Sequence, residues 1–170
     1  MFALIRFFVE LALLRRGPQD LPVSAALLGL LAALSVLVGT VNGMQLFGSL
    51  RAAFGANLLD LLLSLGLLFV LLQLKGHAPR WQQSATAFLG LGVLAGLIML
   101  LIRVPAEALG MTDLARLIDL LLAIWLHVAL GSVLRHALAI PLPAGVIIML
   151  SYTVLAFNVI VRIFPLAATA

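Results

Sequence analysis

The chain has 170 residues, of which 65% are hydrophobic and only 9% charged, and its mean hydropathy is +1.29. A soluble domain has about half its residues apolar and about a quarter charged, so this composition excludes one and points to an integral membrane protein. The net charge is +4, but the ten basic residues stand singly or as one pair at the ends of apolar runs. That distribution suits lipid headgroups and not nucleic acid, and the absence of cysteine excludes disulfides, thiolate nucleophiles and cysteine-based metal sites.

Residues 1–16, MFALIRFFVELALLRR, place Arg6 and Glu10 one turn apart, with Phe2, Leu4, Ile5, Phe8, Leu11 and Leu14 over much of the remaining surface. The segment is too short to cross a bilayer and ends in a basic pair, as an interfacial amphipathic helix does. A signal peptide competes with this reading. Its apolar run, however, would be broken by Arg6 and Glu10, and Arg15, Arg16 and Pro18 stand where small cleavage-site residues belong.

Gly17, Pro18 and Pro22 then make a turn, and Ser24 is placed to cap the next helix. Residues 17–170 read as a five-helix transmembrane bundle with spans over about 24–47, 57–74, 83–102, 112–138 and 144–164. Between them lie short connections at 48–55, 75–80 and 140–143, and a loop from Arg103 to Met111 that contains Pro105 and Gly110. The expected fold is thus all-α, five transmembrane helices preceded by an amino-terminal interfacial helix.

An amino terminus in the cytoplasm puts Arg6, Arg15, Arg16, Lys75, Arg80 and Arg135 inside, and leaves Arg51, Arg103, Arg116 and Arg162 outside. This bias favours an amino terminus in the cytoplasm and a carboxyl terminus outside.

The fourth span carries the most polar groups. An ionisable side chain near mid-bilayer costs roughly 2.5–3.5 kcal/mol on insertion scales, so such groups face protein or water. Asp113, Arg116, His127, Gly131 and Arg135 share one face of this span, with Asp119 beside them. On the fifth span Ser151, Asn158 and Arg162 share another. The expectation is an intramembrane polar cluster of Asp60, Arg116, Asp119, His127, Asn158 and Arg162, in which both acids pair with both arginines. Snorkelling of unpaired charges to the headgroups is the competing arrangement.

His127, near the middle of its span, reads as a hydrogen-bonded core histidine, with proton carrier or metal ligand as the sharper alternative. Gly39 and Gly43, and likewise Gly92 and Gly96, have the spacing that lets helices approach closely. Packing within one chain is the expectation, and self-association through either pair stays open.

No GxSxG, GxxxxGK[ST] or HExxH pattern occurs, and Ser151 with His127 is the sole dyad that suggests itself, so no enzyme activity and no cofactor or metal site is expected. The run Arg80 to Ala87, the pair Ile124 and Trp125, and the Arg135 to Leu138 turn resemble the Yip family of five-span membrane proteins over about Arg80 to Phe164. The segment Arg15 to Pro22 is also similar to a group of small proteobacterial inner-membrane proteins, a resemblance that implies a place in the bacterial inner (cytoplasmic) membrane. Yip proteins act in vesicle traffic by binding partners, so the resemblance implies a non-enzymatic scaffold or accessory subunit that works through other membrane proteins within the lipid bilayer. The cytosolic amino-terminal domain of that family is reduced here to about twenty residues. The alternative is a small channel or proton-coupled carrier that uses the polar face of the fourth span.

Overall fold

The computed structural model describes residues 2–167, and five of its helices are long and apolar enough to cross a membrane. A short helix, α1 (Phe2–Ala12), comes first. It is followed by α2 (Ala25–Phe47), α3 (Leu50–Leu74), α4 (Trp81–Ala108), α5 (Thr112–Leu138) and α6 (Leu142–Ile163), with 3-10 turns at Pro18–Asp20 and Ala78–Arg80. Where no water is available to the backbone, each amide must bond within its own segment, and an apolar run of this length does so as a helix.

The helix ends depart from expectation in three places, each with a local cause. The connection between α2 and α3 shrinks to Gly48 and Ser49. Gly48 closes α2 in the left-handed region at φ 70°, with its N–H on Met44 O at 2.9 Å, while Ser49 Oγ accepts the Ala52 N–H at 3.2 Å and starts α3 at Leu50. α4 runs on through Arg103 and Pro105 to Ala108, replacing most of the expected loop. A proline one turn from a helix end removes one amide bond, and its fixed φ is already helical. α6 likewise takes Pro143 into its first turn, where the missing N–H would have had no partner.

Lipid tails are as apolar as leucine, so close packing and not hydrophobic transfer decides how the spans associate. α2 pairs with α3, α5 pairs with α6, and α4 joins the two hairpins by packing on both α2 and α5. α6 closes the ring on α3 along a slim seam of Ala56, Ala156 and Ile160, with the Phe164 ring over Gly55. The closest approach is between α5 and α6. A Cβ on Gly131 would lie 2.8 Å from the Val146 backbone nitrogen, and one on Gly145 would strike the Gly131 carbonyl oxygen.

The end of the bundle that carries α1 is termed the near end, and the end with Gly48 and Gly110 the far end. The main core occupies the near half: Leu68, Leu72, Leu91, Val133 and Leu134 are buried together with Phe7, Phe8 and Leu11 of α1. α1 therefore docks on the bundle. Its Phe8 ring fills the notch left by Gly90 on α4, and Gly90 has no room for a Cβ. Glu10 accepts from Arg6 at 2.8 Å and from Arg16 at 2.5 Å, while the Arg16 guanidinium also lies 5.5 Å above the Phe7 ring. The Arg6 hydrogen bond, more than the charge of Arg16, holds the Glu10 carboxyl below its ordinary range.

Candidate functional site

The far half of the ring is hollow. Two cavities of about 380 and 420 Å³ lie side by side between the spans and share walls at Ser35, Asn57, Asp60, Gly92 and Leu126. From Asp119 to Leu126, α5 has no buried residue, whereas Ala129–Leu134 are all buried, so α5 is tightly packed only below this stretch. Exposed wall residues, Ala123 on α5 and Thr153 and Phe157 on α6, mark an opening between those helices.

Polar groups converge on this space from four helices. On α3, Asn57, Asp60 and Ser64 follow one another at i, i+3 and i+7 and line one stripe. Asn57 and Ser64 answer their own helix, through Nδ2 to Ala53 O at 2.8 Å and Oγ to Leu61 O at 3.0 Å. Asp60 reaches across the ring, where its Oδ1 accepts from the Tyr152 hydroxyl of α6 at 2.7 Å. No cation comes within ion-pair distance of this carboxyl among the described residues. Asn42 of α2 donates to Val38 O and to Gly96 O on α4, at 2.9 and 3.2 Å, and keeps a buried carbonyl oxygen without a partner.

His127 lies opposite. Its Nδ1 is 2.7 Å from Ala123 O, and a carbonyl only accepts, so Nδ1 carries a hydrogen. Nε2 is 2.9 Å from Thr153 Oγ1, which is itself 3.0 Å from Met149 O. A neutral ring accepts the threonine hydrogen. A protonated ring donates to the oxygen, and the threonine hydrogen turns to Met149. Two consecutive α6 residues, Tyr152 and Thr153, thus tie that helix to Asp60 on one side and His127 on the other.

The expected cluster forms only in part. Asp60, Asp119 and His127 line the two cavities, but the two acids do not pair with Arg116 or Arg162. Arg116 instead donates to Asp113 at 3.3 Å, and the two side chains are 80% and 95% exposed, as expected so close to the start of a helix. Asn158 and Arg162 face outwards on α6, and Asn158 bonds back to Val154 O at 2.7 Å. Ser151 shares their exposed face, so no dyad with His127 exists.

Asp119 also lines a smaller pocket of about 230 Å³ at the far end, beside an unforeseen network. There Arg103 donates to Gln45 and to Glu107, the latter at 3.1 Å, and Gln45 closes the ring onto Glu107 at 3.1 Å. Of the four glycines with close-approach spacing, Gly39 and Gly43 face Asn57 of α3, and Gly96 faces Val38 of α2. Gly92 departs from the packing expectation, because a Cβ there would meet nothing within 4 Å and would point into the cavity.

Sequence reasoning misses Asn57 and Tyr152. The polar spacing of Asn57, Asp60 and Ser64 on an otherwise apolar helix is the available signal, as is the chain's sole tyrosine standing midway along α6. Among the described residues no three His, Asp or Glu side chains converge as a metal cage requires. What remains chemically is a space that can bind: a carboxyl with a phenol donor, amides, hydroxyls and an imidazole in apolar walls.

An all-helical bundle of five helices long and apolar enough to cross a membrane is the build of a multi-pass membrane protein. The chain matches no protein-family model, no curated protein and no solved structure.

Proposed function

We propose that this protein is a small non-enzymatic carrier that binds a polar or cationic solute in the hollow of its bundle, with Asp60 as the group that takes the solute's charge or a proton. One observation carries this reading: the Asp60 carboxyl, deep in a span, faces a cavity and has a phenol but no cation as its partner. An acid at that depth is costly, and a neutral acceptor would serve the Tyr152 hydroxyl as well. The ring has a weak seam at α3 and α6, and Tyr152 bridges it, so a solute that takes the Asp60 carboxylate from Tyr152 would loosen α6 from α3 and gate the site.

The setting proposed is the bacterial inner membrane, amino terminus in the cytoplasm and carboxyl terminus outside, with α1 at the interface and the hollow opening outwards. The test is a flux assay in proteoliposomes across an imposed pH gradient. Wild-type chain should dissipate the gradient when a panel of small amines and polar solutes is supplied, and Asp60→Asn should reduce that flux at least about tenfold, the loss of one charged contact. Equal flux in the variant would sink the proposal.

A second reading, an accessory subunit or scaffold of the Yip-like kind, is favoured by the outer face of α6. Ser151, Asn158 and Arg162 stand exposed on it, and a polar stripe facing lipid commonly marks a helix-docking face. Affinity purification in mild detergent separates the readings: a stoichiometric second protein lost on Asn158→Leu supports the accessory role.

A further inference from the structure

We propose a binding site for a phosphate group at the near end, independent of the central hollow and of the carrier reading. A pocket of about 270 Å³ lies between the strap at Pro18 and Gln19, the first turn of α4 and the last turn of α5, and Arg80, Gln83, Ser84 and His136 line it.

Ser84 is the anchor of the site. It is 1% exposed, and its hydroxyl oxygen is buried without a partner. Three other buried hydroxyls in the spans donate back to their own helices, Thr40 to Val36 O at 2.6 Å, Ser64 to Leu61 O at 3.0 Å and Thr86 to Gln82 O at 2.7 Å. Ser84 does not, and a buried hydroxyl left unbonded is costly unless something else takes its hydrogen.

The groups around it are donors. Arg80 Nη1 donates to His136 O and Ala137 O at 3.2 and 3.3 Å, which fixes the guanidinium at the pocket and leaves its Nε and second amino group without partners among the described residues. His136 Nδ1 bonds Ser132 O at 2.8 Å, so its Nε2 is the free nitrogen and becomes a donor when the ring is protonated. Gln83 donates to Gln19 O and Leu21 O at 3.3 and 2.7 Å and pins the strap over the pocket. No acidic side chain lines the pocket, and the nearby Asp20 carboxylate is occupied by the Gly17 N–H at 3.2 Å.

A guanidinium with a free fork, a buried hydroxyl and an imidazole, with no opposing acid, is the chemistry of a phosphate receptor. Its place at the ends of α4 and α5 is also the depth of lipid headgroups if those helices cross the bilayer. The phosphate can therefore come from a phospholipid or from free phosphate.

The decisive variant is Ser84→Ala, which breaks no hydrogen bond and, by removing an unbonded buried hydroxyl, should hold or raise the melting temperature of the delipidated protein. Full-length delipidated chain in detergent would be titrated with short-chain phosphatidic acid, with diacylglycerol of the same tails and with inorganic phosphate, and followed by thermal shift. Stabilisation by phosphatidic acid but not diacylglycerol, weakened about tenfold in Ser84→Ala and abolished in Arg80→Gln, supports a headgroup site. The same pattern with inorganic phosphate supports a soluble ligand. Identical curves for both lipids with no phosphate response, or undiminished binding by Ser84→Ala, overturns the site.

Discussion

At the residue scale, single side chains tie elements together, and their removal should be measurable. The Tyr152 hydroxyl is the link between α6 and α3 at the cavity, so Tyr152→Phe should cost about 1 kcal/mol in detergent unfolding, the worth of one hydrogen bond. Ala139 ends α5 in the left-handed region at φ 55° and is exposed, so Ala139→Gly removes backbone strain and no contact. A rise in stability of about 0.5–1 kcal/mol is expected, read as a higher melting temperature.

Glu10 gives a pH dependence. Its folded-state carboxyl titrates below its ordinary value of 4.5, so the clamp on α1 is fully present above that pH and is lost as the pH falls through the lower, folded value. The protection factors of the amides over residues 2–12 should therefore fall on acidification, and Glu10→Gln should show the lower protection at neutral pH and match wild type once Glu10 is protonated.

At the scale of elements, the α5–α6 crossing is the contact least tolerant of change. The atoms that a new Cβ would meet at Gly131 and Gly145 include backbone, which cannot rotate away. Either alanine substitution should cost about 1–3 kcal/mol, whereas Gly92→Ala, opening on empty space, should cost little. Thermal unfolding of the three variants side by side gives the ranking.

The same elements show what a sequence reader can and cannot see. Five apolar runs bounded by Gly, Pro and Ser announce five helices, because length and hydropathy are properties of a segment alone. Which glycines touch which helix is a property of two segments. Gly39 and Gly92 sit in the same spacing motif, yet one presses on Asn57 and the other faces a void. The site is half legible for the same reason. Asp60, Asp119 and His127 stand out as charges in apolar runs, but their failure to meet Arg116 and Arg162 comes from the positions of those arginines on exposed surfaces, which no spacing rule encodes. Tyr152 is invisible because an aromatic residue within a span is ordinarily packing.

On the scale of the whole molecule, the ring is filled at one end and hollow at the other. Leu72, Ala87, Leu91 and Val133 are 0% exposed in the near half, while the far half holds the cavities and reaches the far-end pocket through Asp119. A water-soluble reagent should thus enter from the far end and stop at the plug. The chain contains no cysteine, so introduced thiols report without background. Gly92→Cys and Asp119→Cys should react with a membrane-impermeant maleimide, and Ala87→Cys should stay inert until the protein is denatured. Labelling of Ala87→Cys in the native state would mean that the plug is porous.

The seat of Phe8 on Gly90 bears on how the protein is made. α1 leaves the ribosome ahead of the spans, but the notch that receives it belongs to α4, synthesised only after two intervening spans. Until α4 arrives, α1 has no berth and must wait with its aromatic face uncovered. In a chain truncated before residue 81 the amides of α1 should exchange freely, and in one that runs past residue 108 they should be protected, so the last step of biogenesis for α1 is set by a helix made well after it.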